Sequence, residues 1–276
     1  MTNDDARSPD ASGTAEAVQR FGKADLQVHT SYGDGMASAI ELFEHIEATT
    51  DLDVIAVTDH DDVGGALEAR EAHARGRYSF ELVTGIEVTT RSGHLLALWV
   101  DESIRSLRPF HETVAAIHDA GGLAVIPHPL SPLTRSIGRR TIERTLEIED
   151  TSTRPDGIEV ANTSLAGRVT SGKARRLNGA RYGFAETGGS DAHFPEAVGT
   201  AWTLFSMRPG VSASESLREA VRTRQTAGDE SRAPSLRELG AGRLLRQQVR
   251  GLSVTPRKVL GPPLRRVWAL GRPSGS

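Results

Sequence analysis

Cysteine is absent from the 276-residue chain. This absence excludes disulfides, thiolate metal sites and a cysteine nucleophile, so any metal ligands must be His, Asp or Glu. Aromatic residues make up only 5% of the chain, which argues against a platform for stacking bases. No apolar run approaches the ~18 residues of a membrane-spanning helix, and the N-terminus lacks the basic-then-apolar pattern of a secretory signal. We therefore expect a cytoplasmic protein.

Positive charge is concentrated near the C-terminal end. Residues 229–276 contain ten Arg or Lys and three Asp or Glu, a net charge of +7 in a chain whose total is -3. This division predicts a disordered leader over 1–20, a folded domain over 21–228 and a basic tail over 229–276. Apolar residues recur in the tail at helical spacing: Leu239, Leu244, Leu245 and Val249. A basic amphipathic helix of this kind either touches an anionic surface or nucleic acid, or packs on its own domain.

Short β-rich runs alternate with helical patterns between residues 21 and 228. Strands are predicted to end near His29, Thr58 and Pro127, and one helix is predicted over Ser164–Asn178. The alternation is typical of βα units with a mostly parallel sheet, and about seven such units favour a closed barrel. In barrels of this kind the chemistry lies at the C-terminal ends of the strands.

Side chains that can bind metal cluster at these predicted strand ends. Five of the nine histidines lie there: His29, His60, His94, His128 and His193. Acidic residues accompany them: Asp34, Asp59, Glu87 and Asp191. Each of these alone is an ordinary rim, turn or capping residue, but their convergence predicts a metal site. Imidazole and carboxylate without thiolate suit Zn²⁺, Mn²⁺ or Fe²⁺, and a carboxylate such as Glu87 can bridge two cations ~3.5–4 Å apart.

The same residues carry a family resemblance. Between about residues 23 and 205 the chain contains, in order, DLQVHTSYGDG, VIAVTDHD, GIEV, GHLLAL, IPHP and GGSDAH. This ordered series resembles the polymerase-and-histidinol-phosphatase (PHP) family. The resemblance implies a distorted (β/α)7 TIM-like barrel that holds two or three divalent metal ions and hydrolyses phosphate esters. The folded domain over 21–228 would then be a PHP metallo-phosphoesterase domain.

Carried over position by position, the resemblance implies three cation sites. The first would be held by His29, Glu87 and Asp191. The second would be held by Glu87, His94 and His128. The third would be held by Asp34, His60 and His193. Asp59 is the candidate catalytic residue, either as the general acid, a role that a metal-bound water could also fill, or by orienting His60 or a water.

One position departs from the family pattern. The first motif is usually His-x-His, and here Gln27 occupies the place of the first histidine. An amide oxygen is a poorer ligand than imidazole for zinc-like ions, so the first site is expected to bind weakly, to prefer a harder ion or to stand empty. An alternative reading therefore stays open, in which the chain is a catalytically degraded PHP domain acting as a metal-stabilised binding or regulatory module.

Candidate phosphate-binding residues follow His128. Arg135, Arg139 and Arg140 are predicted on a loop that leaves a site-bearing strand, where they either clamp a phosphate or form a solvated, Arg-rich loop. No Walker-type or dinucleotide-binding glycine pattern precedes a helix, and no G-x-S-x-G occurs. The leading hypothesis is a metal-dependent phosphoric ester hydrolase in which a metal-activated hydroxide attacks phosphorus. The substrate would be a nucleotide, a sugar phosphate or, as the basic tail suggests, a short oligonucleotide.

Overall fold

The computed structural model describes residues 19–259 and forms one nine-stranded sheet. Its strands are β1 (Phe21–Val28), β2 (Val54–Val57), β3 (Glu81–Thr90), β4 (Gly93–Leu98), β5 (Leu123–Ile126), β6 (Gly157–Ala161), β7 (Ala185–Gly188), β8 (Ala201–Ser206) and β9 (Thr226–Glu230). They lie in the order β7-β6-β5-β4-β3-β2-β1-β8-β9. The sheet curls into a nearly closed barrel, which confirms the predicted fold class.

The sheet is more mixed than the sequence indicates. β1, β2 and β3 are mutually parallel, as are β5, β6 and β7. β4 runs antiparallel to both of its neighbours, and β8 and β9 add antiparallel pairs. Only Arg91 and Ser92 separate β3 from β4, and so short a connection permits only antiparallel pairing. As a result the start of β4, with His94, lies at the same rim as the carboxyl ends of the parallel strands.

Glycines let the two ends of the sheet approach each other. The Gly188 N–H on β7 donates to Thr203 Oγ1 on β8 at 2.9 Å, and this hydroxyl donates back to the Gly188 carbonyl at 3.0 Å. On β9, Gly228 lies so close to the backbone carbonyl of Thr187 that a Cβ atom would overlap it. Close backbone approach is therefore what brings β7 and the β8–β9 edge together.

Helices pack against the strands of the barrel. They are α1 (Ala39–Thr49), α2 (Gly64–Arg75), α3 (Phe110–Asp119), α4 (Arg139–Glu147), α5 (Leu165–Arg168), α6 (Ser171–Leu177), α7 (Ala213–Arg222), α8 (Leu236–Leu239) and α9 (Ala241–Val259). α1 starts with a capping box, in which Ser38 Oγ accepts from the Glu41 N–H and the Glu41 carboxylate accepts from the Ser38 N–H. α7 begins where Glu81 accepts the N–H groups of Ala213 and Ser214, so it lies at the amino-terminal end of β3. The carboxyl ends of the strands are thereby left for a site.

The structure differs from the sequence prediction in three segments. The predicted helix Ser164–Asn178 is divided into α5, α6 and a π-helical turn over Asn178–Tyr182. The predicted loop after His128 contains the helix α4. β9 crosses the expected boundary between 228 and 229 because it pairs with β8.

The expected leader and the end of the basic tail fall on residues 1–18 and 260–276, outside the described range. Within residues 19–259, no helix combines the length and apolar character needed to cross a membrane.

Candidate metal centre

Glu87 lies at the centre of a buried cluster of histidines. Its Oε1 atom is 2.9 Å from His128 Nε2 and 2.7 Å from His94 Nδ1. Its Oε2 atom is 3.2 Å from His29 Nε2 and 3.7 Å from His60 Nδ1. The two oxygens therefore face different pairs of imidazoles, which is the arrangement a bridging carboxylate needs.

Two more carboxylates complete the cluster. Asp34 Oδ2 lies 3.2 Å from His193 Nε2 and 3.9 Å from His60 Nε2. Asp191 Oδ1 lies 3.2 Å from His29 Nε2 and 3.8 Å from His193 Nδ1. The structure thus brings together all eight side chains that the sequence analysis names as metal ligands.

Three subsets have ligand atoms that all lie within 4.8 Å of one another. The first is His29, Glu87 and Asp191. The second is His60, Glu87 and His94. The third is His29, Asp34, His60 and His193. They overlap closely with the three sites implied by the resemblance, with His60 beside Glu87 and His94 where His128 is expected.

The donor atoms of this cluster suit a divalent cation. Buried nitrogen and oxygen atoms nearly always have a hydrogen-bond partner. Here several buried atoms find none within the described part of the chain: His29 Nδ1, Asp34 Oδ1, His60 Nδ1, Glu87 Oε2 and both ring nitrogens of His94. His94 Nδ1 is close to Glu87 but outside hydrogen-bonding geometry. Imidazole nitrogens and carboxylate oxygens left unpaired and converging are what Zn²⁺, Mn²⁺ or Fe²⁺ would coordinate.

The loop that carries Asp34 is held by Asp59. The Asp59 carboxylate is fully buried and accepts the Thr30 N–H at 2.9 Å and the Thr30 hydroxyl at 2.5 Å. Gly33 and Gly65 lie against the same carboxylate, where a Cβ atom on Gly33 would come within 2.5 Å of Oδ1. Asp59 is thus placed to hold the loop, and a catalytic role for it stays a prediction.

Two of the clustered residues have unusual backbone conformations. His128 has φ 30° and Asp191 has φ 54°, which is the left-handed region that few non-glycine residues occupy. Glu159 Oε2 accepts the His128 N–H at 2.7 Å, and Asp25 accepts the N–H and hydroxyl of Ser190 at 2.8 and 2.5 Å. These buried carboxylates fix the backbone where it turns the two side chains toward the cluster.

Opposite charges keep the central acids ionised. Burial opposes ionisation of Glu87, yet the imidazoles that face it and hydrogen bonds from His128 and His29 hold its pKa well below the ordinary value. Burial likewise opposes ionisation of Asp34, and His193 above all lowers its pKa. Both acids therefore present full negative charge at neutral pH.

The histidines divide into two kinds. Burial lowers the pKa of His128, but its hydrogen bond with Glu87 outweighs this and raises the pKa to about 9. Burial also opposes protonation of His29, and hydrogen bonds with Asp191 and Glu87 keep its pKa well above the ordinary value. Burial dominates at His60, whose pKa falls to about 4. His60 is therefore neutral at pH 7, whereas His128 and His29 carry a proton until a cation replaces it.

The chain is similar in sequence to a known family and to an archaeal protein. A model of the PHP-associated family matches residues 173–226. An uncharacterized protein of Methanocaldococcus jannaschii is 32% identical over 151 residues, a stretch that spans 51% of this chain and 81% of the archaeal protein. The chain belongs to the PHP family.

Solved structures share the PHP fold. A Bacteroides vulgatus two-domain protein containing a predicted PHP-like metal-dependent phosphoesterase superposes with a TM-score of 0.61 at 18% identity, covering 91% of this chain and 74% of that one. PsfC from Pseudomonas syringae superposes with a TM-score of 0.59 at 18% identity, covering 83% of this chain and 99% of that one. The likeness at these identities confirms the barrel.

Of the three arginines expected to contact phosphate in this PHP protein, two lie on the helix α4 rather than on a loop. Arg139 is the first residue of α4, and its Nε donates to Glu143 at 2.8 Å. Arg140 lies beside it on α4 with an exposed side chain. Arg135 is exposed, and its carbonyl accepts the His94 N–H at 2.7 Å. Their role toward phosphate stays a prediction.

Glu159 is a buried acid at the site that the sequence analysis did not single out. It is 1% exposed, accepts from His128 and from Asn162 Nδ2 at 2.8 Å, and burial raises its pKa to about 8. The sequence itself could have indicated Glu159, because Gly157–Val160 repeats the tetrapeptide GIEV of residues 85–88, in which the acid is Glu87. Gln27, also fully buried, accepts from the same Asn162 amide at 3.4 Å.

The basic helix α9 packs against the loop that carries Asp34. Arg250 donates through Nε to the Gly33 carbonyl at 2.9 Å and through Nη2 to the Ser31 carbonyl. Gly251 lies next to the cluster, where a Cβ atom would be 3.3 Å from Asp34 Oδ2. The helix therefore covers one side of the cluster.

Helix α9 has a second anchor on the domain and an exposed face. Arg243 makes a bidentate contact to Glu196, at 2.8 and 3.1 Å, and stacks over Phe194. The opposite face presents exposed apolar side chains: Leu245, Val249 and Leu252. Arg243 and Arg250 of the tail are therefore engaged with the folded domain.

Proposed function

We propose that this PHP protein is a metal-dependent phosphoesterase that hydrolyses a phosphate ester. One observation carries the proposal: eight imidazole and carboxylate side chains from separate strand ends meet in one buried cluster whose donor atoms are partly unpaired. A structural core would satisfy those atoms with hydrogen bonds, whereas a cation site leaves them facing one another.

In this proposal the cluster holds two or three divalent cations. One position is held by His29, Glu87 and Asp191. A second is held by Glu87, His94 and His128. A third is held by Asp34, His60 and His193. When bound, such cations polarise phosphate oxygens and acidify water toward a pKa of ~7.

The side chains themselves control protons and access. His60 offers a free lone pair at neutral pH, whereas His128 must release a proton before its nitrogen can bind a cation. The side chains of His60 and His193 are 11% and 18% exposed, while that of His29 is 0% exposed. Phosphate would therefore approach from the side of His60 and His193.

The substrate that fits best is a small phosphate ester. α9 lies against Asp34 and narrows the approach on that side, which favours a terminal phosphate over an internal position in a polymer. Nucleotides, sugar phosphates and short oligonucleotides are the classes to compare. In this proposal the exposed side chains of Arg135 and Arg140, which follow His128 in the chain, contact them.

The test is phosphate release from these three classes with added Mn²⁺ or Zn²⁺. Turnover is expected in the wild-type protein and a loss of at least about 100-fold in His128→Ala and Asp191→Asn, since each removes a ligand. His111→Ala removes an exposed histidine of α3 and serves as the matched control. Equal rates in wild type and both ligand variants would refute the proposal.

Gln27 favours a second candidate, a metal-stabilised module without turnover. That candidate expects bound metal to raise the melting temperature while no substrate is hydrolysed. It also expects Gln27→His to gain turnover by restoring an imidazole. Hydrolysis by the wild-type protein excludes it.

A further inference from the structure

Helix α9 packs on the domain with its polar side. Arg243 pairs with Glu196, and Arg250 donates to backbone carbonyls of the folded domain. Gln247 is the one buried residue among residues 241–252. A surface helix of a globular protein usually turns its apolar side toward the core. In α9 this order is reversed, because the side that faces the domain presents two arginines and a glutamine.

The opposite side of α9 carries an apolar stripe, formed by Leu245, Val249 and Leu252. The spacing of these residues places them on one face of the helix. Their exposed fractions are 67%, 59% and 79%, respectively. Single exposed apolar side chains are normal on a protein surface, but a stripe of three along one helix indicates an interaction site.

The apolar stripe lies in a stretch that carries only positive charge. Residues 241–276 contain eight Arg or Lys and no Asp or Glu, a net charge of +8 in a chain whose total is -3. Arg246, the residue after Leu245, has an exposed side chain. Glu238, the acid that precedes this stretch, pairs with Arg232 at 2.8 Å. The stripe is therefore presented to solvent together with positive charge.

An anionic lipid bilayer matches both properties. A basic amphipathic helix lies in the bilayer interface with its apolar face at the acyl boundary and its cations among the headgroups. A second copy of this chain could cover the stripe, but it would bring the same positive charge against it. A nucleic acid would match the charge and leave the stripe in water, and residues 241–252 contain no aromatic side chain on which bases could stack.

We propose that α9 docks this protein on the surface of an anionic membrane through its apolar stripe, while the polar side of the helix stays on the domain. The inference goes beyond the proposed function, because the stripe contains no residue of the metal cluster. Removal of one leucine from the stripe should weaken membrane binding about 10-fold, and removal of one exposed arginine about 5-fold.

Co-sedimentation of the full chain with lipid vesicles tests the proposal. The vesicles contain equal parts of phosphatidylglycerol and phosphatidylcholine, or phosphatidylcholine alone. The variants are Leu245→Gln, Leu252→Gln and Arg246→Gln. The matched controls are Leu165→Gln, which changes a leucine of α5 that is 57% exposed, and Arg222→Gln, which changes an exposed arginine of α7. Melting temperatures identify any variant that has lost its fold.

The wild type and both controls are expected to bind the anionic vesicles and not the neutral ones, and high salt should weaken this binding. The two leucine variants should bind about 10-fold more weakly, and Arg246→Gln about 5-fold more weakly. Because the chain has no cysteine, a fluorophore attached to Leu252→Cys reports on the stripe alone. Its emission should shift to the blue on anionic vesicles, whereas the same label on Leu165→Cys should not shift.

The proposal is refuted if the wild-type chain does not bind anionic vesicles. Self-association that both leucine variants lose would then assign the stripe to a second copy, and binding of a single-stranded oligonucleotide would assign the charge to nucleic acid. The proposal also fails if both leucine variants bind vesicles as well as the wild type, since attraction between charges would then account for the binding. Each of these results leaves the proposed phosphoesterase function untouched.

Discussion

Removing the Arg250 guanidinium should loosen α9 from the barrel rim. Arg250 donates to the carbonyls of Gly33 and Ser31, and each hydrogen bond from a charged donor contributes ~1.5–3 kcal/mol when buried. Because the side chain is only half-buried, we take ~2 kcal/mol for the pair, which corresponds to ~30-fold more frequent opening of the helix. Arg250→Ala should therefore lower the protection of α9 backbone amides by this factor.

Hydrogen–deuterium exchange of the metal-free chain measures this change directly. Protection over residues 241–252 is compared among wild type, Arg250→Ala and Arg246→Ala, the last of which removes an exposed arginine from the same helix. Protection of β1 and β2 should be unchanged, because they lie in the barrel core. Unchanged protection in Arg250→Ala, or an equal loss in Arg246→Ala, would show that the contacts to the Asp34 loop do not hold the helix.

Three further outcomes are expected. Metal affinity should rise from pH 6 to about pH 9, because His128, with a pKa of about 9, must lose its proton when a cation binds. Calorimetry in buffers of different ionisation enthalpy should detect the released proton. A metal affinity that does not change with pH would contradict this expectation. A hydrogen bond to Asp156 holds the pKa of His118 above its ordinary value. The stability that this contact contributes is therefore fully present below pH ~6.5 and is lost as the pH rises through the pKa of the folded state. In urea unfolding, His118→Gln should lower the free energy of unfolding more at pH 5.5 than at pH 8.5, and equal losses at the two pH values would refute the coupling. Phe205→Ala should lower the free energy of unfolding in urea by about 3–5 kcal/mol, because the ring is 1% exposed in the core cluster that includes Leu26 and Leu217. A loss below ~1 kcal/mol would mean that the core collapses around the cavity.

The cluster was predictable because its members follow strands. His29 and His60 follow the ends of strands β1 and β2 within three residues. The carboxyl ends of parallel strands meet at one rim, so sequence position indicated that these side chains converge. The apolar spacing of Leu42, Phe43 and Ile46 is likewise a local signal that predicts a helix where α1 lies. In each case short-range chemistry and the global fold agree.

Other features depended on contacts that no local pattern carries. Arg250 and Gly33 are 217 residues apart, so the position of α9 against the Asp34 loop could not be read from helical periodicity. Glu159 shares the GIEV tetrapeptide of Glu87, but its hydrogen bonds to His128 and Asn162 could not be read from that repeat. α4 was missed because it contains few apolar residues, burying only Ile142 and Thr145.

The position of β1 has a consequence for synthesis of the chain. β1 lies between β2 and β8, and its residue Phe21 pairs with Ser206, so its second partner emerges from the ribosome long after its first. Until then β1 exposes an open edge, and Asp191 and His193 have not yet joined His29. Such long-range pairing slows folding and leaves the growing chain open to misassociation. In the proposed function, cations would therefore be bound only after Asp191 and His193 have been translated.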